Sequence, residues 1–371
     1  MLDPQRILSP EEQAMFRLRE LYRRHGYLPY KMSKFEEYDL YVRNKSFLAS
    51  DRVLTFTDTD GKLMALKPDV TLSIVKNTRD TGGFQKVYYH ENVYRPSPTS
   101  YGYREIPQAG LECIGPLDLA ATAEVVMLAA RSLESIDPGY LLDLSHLGLT
   151  AGLLAPLDLE EEQERAVLRA LEAKNTSALR QLGAAAGVPG ELTEALCRLA
   201  LLYGRPSAAL PALAGLTAGR PQAEAALGEL RDLCALLGQY GLEDRLRLDF
   251  SLVNDQNYYS GIVFRGFLPG IASAVLSGGR YDGLLRRMGR QGGAIGFAVY
   301  LDQLERFSGG PEGPDADVLL LYDGDTDPAA MAGAANALLA AGKTVRTDRR
   351  VPEGLRFGEI RDLRKEGQVW S

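Results

Sequence analysis

The 371-residue chain has only three cysteines, Cys113, Cys197 and Cys234, far apart and without a CxxC pair. That spacing excludes a disulfide frame and a thiolate zinc site, and leaves them as buried small hydrophobes of a reduced compartment. Histidine is as scarce: His25, His90 and His146 share no metal-ligand spacing with one another or with a cysteine, so each reads as structural or exposed. Neither a metal nor a cofactor is expected. No Walker loop and no nucleophile elbow is present, which removes P-loop and hydrolase chemistry. No stretch reaches the roughly 18 apolar residues of a membrane span. The opening MLDPQRILSPEEQ lacks the basic-then-apolar order of a secretory signal. A cytoplasmic protein away from membranes is expected. Positive charge is not in surplus either: 42 Lys and Arg against 49 Asp and Glu give a net −7, which weighs against a chain whose main work is gripping nucleic acid.

What is present is a globular composition, 45% hydrophobic and 25% charged, in a chain long enough for two or three domains. Pro10, Glu11 and Glu12 open a stretch in which Met15, Phe16, Leu18, Leu21 and Tyr22 recur at helical spacing. This predicts an amphipathic helix ending before Gly26. From about 27 to 115, strand-like runs take over at 53–57, 63–66, 86–89 and 111–114, with Asp60-Gly61 as a hairpin turn. A helix follows over 120–133 and a strand over 141–144. Residues 155–240 turn to Ala, Leu and Glu, with Asp158 as an N-cap ahead of Glu160, Glu161 and Glu162. Gly and Pro at 187/189, 204/206 and 219/221 divide this stretch into several helices, a helical insertion in a β-rich domain. Strands return at 246–253 and 262–265, before a glycine-rich strand-turn-helix over 276–284. The expected division is a core over 1–308, a linker over 309–315 and a small C-terminal β-α-β domain over 316–371.

Three constellations carry possible chemistry. Asp69 and Thr71, in LKPDVT, fall at a strand-to-helix junction, where a carboxylate and a hydroxyl suit an ammonium group. Asp69 equally reads as a helix cap. Gln108 and Glu112 lie four apart in a strand, hence on one face, and need partners if that face is buried; a solvated face is the alternative. Upstream, Arg95 before Pro96 and Pro98 is fit to hold a carboxylate or phosphate, or simply to sit exposed at a strand end. In the third, Tyr258 and Tyr259 stand among amides before Gly261. One ring of such a pair can pack inward while the other offers a hydroxyl. Nearby, Arg280 and Tyr281 sit in a glycine-rich turn that permits close backbone approach.

Taken in order, LKPDVT at 66–71, YREIPQAGLECIG at 103–115, NYYSG at 257–261, SGGRYDGLL at 277–285 and GAIGFAVYLDQL at 293–304 resemble the catalytic core of histidyl-tRNA synthetase, over about residues 10–307. The resemblance implies an α+β class II aminoacyl-tRNA synthetase fold, a six-stranded antiparallel sheet flanked by helices. It also implies a histidine pocket. Asp69, Thr71 and Gln108 would surround the α-ammonium, Glu112 and Tyr259 would face the imidazole, and Tyr258 and Tyr281 would line the site. Asp69 stands where the family has the longer glutamate.

Other departures remove function. Asn254 and Gln303 stand where the synthetases carry arginines on the reacting phosphate and ATP; Ser97 replaces a glutamate that contacts ATP, and Ser33 the motif 1 proline. Adenylate formation depends on preorganised charge stabilisation, and one lost donor costs on the order of 3 kcal/mol in barrier. A pocket kept and an activation apparatus lost is similar to the regulatory-subunit family of ATP phosphoribosyltransferase, in histidine biosynthesis. That family implies a non-catalytic subunit, required by a short catalytic subunit and contributing to histidine feedback inhibition. It also implies a hetero-octamer containing homodimers of the synthetase-like core, and no tRNA. The competing expectation is a divergent enzyme forming an aminoacyl adenylate without tRNA, with Arg280 or Arg265 as the substitute cation. A third is another amino-acid sensor, such as a regulator of a translation kinase.

Overall fold

A computed structural model describes residues 8–48, 52–79, 82–97, 102–157, 159–253, 258–305 and 313–364. The chain divides into two compact units, Met1–Phe307 and Ser308–Ser371.

The first unit begins with helix α1 (Pro10–Arg24), set by a capping box: the Ser9 hydroxyl accepts from the Glu12 amide, and the Glu12 carboxylate accepts from the Ser9 amide. Its Ala14, Leu18 and Tyr22 are buried. Two residues, β1 (Leu28–Pro29), then pair in parallel with a later strand. A small antiparallel sheet comes from β2 (Phe35–Glu37), β3 (Thr55–Thr57) and β4 (Leu63–Leu66), in the order β2-β4-β3. The expected turn joins β3 to β4, with Gly61 at φ +79°. Between β2 and β3 lies the short helix α2 (Tyr38–Arg43), and after β4 comes α3 (Thr71–Asn77).

Two long strands follow, β5 (Gln85–Pro96) and β6 (Tyr103–Gly115), then α4 (Leu119–Ile136), β7 (Leu141–His146) and α5 (Leu147–Leu154). Five helices fill the alanine- and leucine-rich region: α6 (Glu161–Glu172), α7 (Thr176–Ala185), α8 (Gly190–Leu201), α9 (Pro206–Thr217) and α10 (Pro221–Gln239). The two-residue strand β8 (Tyr203–Gly204) interrupts them. Glu160 is the N-cap of α6, with Glu161 and Glu162 in its first turn, while Asp158 lies outside the described residues. The sheet resumes with β9 (Leu246–Asp249), β10 (Ile262–Phe267) and β11 (Leu276–Arg280). Helix α11 (Asp282–Arg287), β12 (Gly293–Tyr300) and the short α12 (Asp302–Glu305) complete the unit.

The large sheet runs β1-β5-β6-β12-β11-β10-β7-β9-β8. Its middle six strands, β5 to β7, are antiparallel throughout, the arrangement implied by the resemblance. Two parallel pairs, β1–β5 and β7–β9, extend it on either side. Side-chain alternation along β6 divides its two faces. Ala109, Leu111 and Cys113 join the core cluster that includes residues of α1 and α4, whereas Gln108, Gly110 and Glu112 point to the opposite side. All three cysteines are free and buried.

The second unit is a parallel three-stranded sheet in the order β14-β13-β15, made of β13 (Ala316–Leu321), β14 (Val345–Asp348) and β15 (Phe357–Asp362), with α13 (Pro328–Ala340) between β13 and β14. Val318, Leu320 and Leu338 form its core. The β-α-β unit read from sequence is there, and β15 is an additional strand. Its sequence, FGEIRD, is too polar to read as a buried parallel strand, and its Ile360 is exposed.

Candidate functional site

On the open face of β6, the Glu112 side chain lies over Gly296, its cross-strand partner on β12. A Cβ at position 296 would overlap the Glu112 carboxylate, so only glycine leaves it room. The carboxylate is 2% exposed and accepts two hydroxyl hydrogen bonds: Thr71 Oγ1 donates to Oε1 at 2.8 Å, and Tyr281 OH donates to Oε2 at 2.6 Å. Burial dominates its titration and pushes its pKa up to about 8, against the lowering effect of those two bonds; the charge of Asp69 raises it further. Thr71 opens α3 and Tyr281 precedes α11, so two helix starts converge on one strand residue.

Asp69 lies where both of its readings placed it, at the start of a helix and at the cavity wall. Its Oδ1 accepts from the Leu72 amide at 2.9 Å, which caps α3, and the residue also lines the cavity. Burial raises its pKa, while the Leu72 amide and the Arg95 charge lower it. Arg95, near the end of β5, lines the same cavity and donates Nε to the Pro68 carbonyl at 3.0 Å. Gln108 is 3% exposed, and its Nε2 has no hydrogen-bond partner among the described residues. A buried amide donor left open at a cavity wall fits a ligand or water acceptor.

Aromatic rings close the cavity. Tyr258 and Tyr259 meet edge-on at 4.7 Å between ring centres, Tyr258 lies 5.9 Å from Tyr281, and Phe47 lies 6.0 Å from Tyr258. The hydroxyls of Tyr258 and Tyr281 are held neutral by burial, with pKa values raised well above the ordinary tyrosine range. The cavity measures about 480 Å³. It brings together the eight residues expected to form a histidine site: Asp69, Thr71, Arg95, Gln108, Glu112, Tyr258, Tyr259 and Tyr281.

Some walls were not legible in the sequence. Phe47 and Tyr89 lack any local motif, and Tyr300 enters only because the register sets it opposite Gln108, where its hydroxyl meets Ser277 Oγ at 2.6 Å. The two arginines proposed as substitute cations part company. Arg265 lines the cavity, whereas Arg280 is absent from its described walls and is held at 2.8 Å by Asp282. Gln303 is likewise not among the described walls: its amide accepts from Ser273 Oγ and donates to Asp302, each at 3.0 Å. Ser97 is buried, and Ser33 accepts from the Phe35 amide at 3.1 Å. Asn254 and Pro98 lie outside the described residues, as do residues 309–312 of the linker. Among the described residues, no group of three or more His, Cys, Asp or Glu is placed to hold a metal ion. Among them too, no helix is long and apolar enough to cross a membrane.

A six-stranded antiparallel sheet, backed by helices on one face and bearing a polar, tyrosine-walled cavity on the other, defines a class II synthetase-like core. The family model for histidyl-tRNA synthetase matches residues 3–304. The chain belongs to this family, within the branch formed by ATP phosphoribosyltransferase regulatory subunits. It is 32% identical over 337 residues to the protein of that name from Moorella thermoacetica, covering 88% of this chain and 82% of the relative. It is 33% identical over 303 residues to the one from Symbiobacterium thermophilum, covering 79% and 75%. In fold it is similar to a crystal structure described as an ATP phosphoribosyltransferase regulatory subunit/histidyl-tRNA synthetase from Bacillus halodurans. That match has a TM-score of 0.76 at 23% identity and covers 96% of this chain and 94% of the other.

Proposed function

We propose that this chain is the non-catalytic regulatory subunit of an ATP phosphoribosyltransferase in histidine biosynthesis, required by a short catalytic subunit and contributing to feedback inhibition by L-histidine. The observation that carries this reading is the 32–33% identity to proteins of that name over most of both lengths. The cavity supports it chemically. Asp69 offers a carboxylate for an α-ammonium, and Glu112 with its two hydroxyl partners offers a polar floor for an imidazole. Thr71, Gln108, Arg95 and the three tyrosines Tyr258, Tyr259 and Tyr281 complete the proposed histidine site.

The proposed assembly is cytoplasmic: homodimers of the core within a hetero-octamer with the catalytic subunit, without tRNA. The domain division proposed with it is a core over 1–308, a linker over 309–315 and a small α/β C-terminal domain over 316–371. Histidine acts by favouring a quaternary state in which the partner is less active. By linkage, the partner's substrates must then weaken histidine binding by the same factor. Titration calorimetry with the twenty amino acids tests the pocket. Histidine binding that weakens strongly in Glu112→Ala is expected, and unchanged affinity in that variant refutes the assignment.

The second reading, an enzyme forming an aminoacyl adenylate, is favoured by one observation: Arg265 lines the cavity. Histidine-dependent pyrophosphate exchange would support it, and no exchange at high protein concentration would remove it.

A further inference from the structure

Away from the pocket, the helical insertion meets the sheet at a pair of buried acids. Asp143 on β7 is 6% exposed, and Asp249 at the end of β9 is 7% exposed. Asp249 is saturated: Oδ1 accepts from the Ser251 amide and Oδ2 from Lys174 Nζ, both at 2.9 Å. Asp143 is not. The Tyr203 hydroxyl bonds it, but its Oδ1 has no hydrogen-bond partner among the described residues. The same is true of Ser145 Oγ, two residues along the strand and on the same face.

The cations are few. Lys174 comes from the turn between α6 and α7, where its backbone adopts a left-handed φ of 51°, and its ammonium also stands 5.2 Å from the ring of Tyr203 on β8. Arg247, opposite Asp143 in the register, donates Nη1 to the carbonyls of Asp244 and Leu246 at 3.0 and 2.7 Å, and its charge lowers Asp143 as that of Lys174 does. Arg265 on β10 also pairs with Asp143 in the register, but lines the pocket. Helix α9, which packs on β9 as well, carries no charged residue, whereas helix α10, which packs on β7, carries Glu224, Glu229, Arg231 and Asp232, with Glu229 bonded to His146 at the end of β7. Two buried carboxylates therefore share one direct ion pair, from Lys174, while Arg247 acts on Asp143 through its charge. A pair of this kind is most stable with one proton between its members.

We propose that Asp143, Asp249 and Lys174 form a proton-controlled clasp holding the α6–α7 turn and β8 of the helical insertion against the β7–β9 strand pair, closed when the acid pair carries a proton and loosened when both acids ionise. Burial and the neighbouring Asp249 charge push Asp143 up to about 7, which puts the transition near neutrality. The sign follows from linkage. The closed form holds its proton more tightly than the open form, so opening becomes easier as pH rises through the closed-state value. With an ordinary carboxylate value when open, the open-to-closed ratio grows about tenfold between pH 6 and 8. The chain leaves β9 toward Tyr258 and Tyr259, so the clasp lies on the strand that leads to the pocket's aromatic wall.

The inference does not depend on which ligand the pocket takes. Its test is hydrogen exchange by mass spectrometry on the full chain at pH 6, 7 and 8, corrected for intrinsic rates. Protection over residues 161–185 is expected to fall about tenfold across that range in the wild type and to stay constant in Asp143→Asn. A pH-independent wild type, or an Asp143→Asn variant with the same loss, overturns the proposal. Should Asp143→Asn fail to fold, Asp249→Asn removes the like charge and should move the opening to lower pH; an unmoved transition is equally fatal.

Discussion

Replacing Glu112 by glutamine should make the empty protein more stable and a worse binder. The side chain keeps its shape over Gly296, and the hydroxyls of Thr71 and Tyr281 can reorient to serve an amide. What changes is the cost of ionisation. Burial raises the carboxyl from 4.5 to about 8, so the folded state binds the proton more tightly than the unfolded chain. Stability is therefore greatest below the unfolded value, falls as pH rises through the window, and levels off above the folded value. At about 1.36 kcal/mol per unit, a shift of this size bounds the loss at roughly 5 kcal/mol, and water entering the cavity reduces it to about half.

Urea unfolding at pH 5 and pH 8.5 measures it directly. Wild type should lose about 2–4 kcal/mol more than Glu112→Gln between the two conditions. Histidine affinity should fall about 10- to 150-fold in the variant, the value of a hydrogen bond to a charged group. Identical pH dependence of unfolding in the two proteins would refute the account of a buried carboxyl with a raised pKa.

Two further substitutions probe the surroundings of the site. Gly296→Ala forces the Glu112 carboxylate out of its position. Calorimetry should show a loss of about 1–3 kcal/mol in stability together with a histidine affinity no better than that of Glu112→Gln. Lys67 is fully buried and paired with Glu91. Lys67→Met should cost about 3–5 kcal/mol in denaturant unfolding by leaving that acid unpaired, and Lys67→Met combined with Glu91→Leu should recover most of it.

The alternation of Gln108 and Glu112 along one strand, and the junction position of Asp69 and Thr71, were legible because each rests on a local rule of spacing. So were the helical insertion and the turn at Gly61. What local rules cannot supply is the register. Gly296 matters because it lies opposite Glu112, Tyr300 because it lies opposite Gln108, and Leu28–Pro29 because it extends the sheet beside Val87 and Tyr88. None of these pairings leaves a trace within its own segment. Arg280 stays out of the cavity walls for the opposite reason: a local contact with Asp282, two residues on, draws its guanidinium to that acid. The acid pair at Asp143 and Asp249 was also invisible, since Asp143 is a single acid in a leucine-rich strand and its partner lies over a hundred residues away.

Regulation of a catalytic partner is open to a direct assay. The purified chain is added to its cognate short-form phosphoribosyltransferase, and phosphoribosyl-ATP formation is followed with and without L-histidine. Activity should rise with added chain and be suppressed by histidine, and the Glu112→Gln chain should stimulate while resisting that suppression. A catalytic subunit whose rate is indifferent to saturating chain would contradict the account.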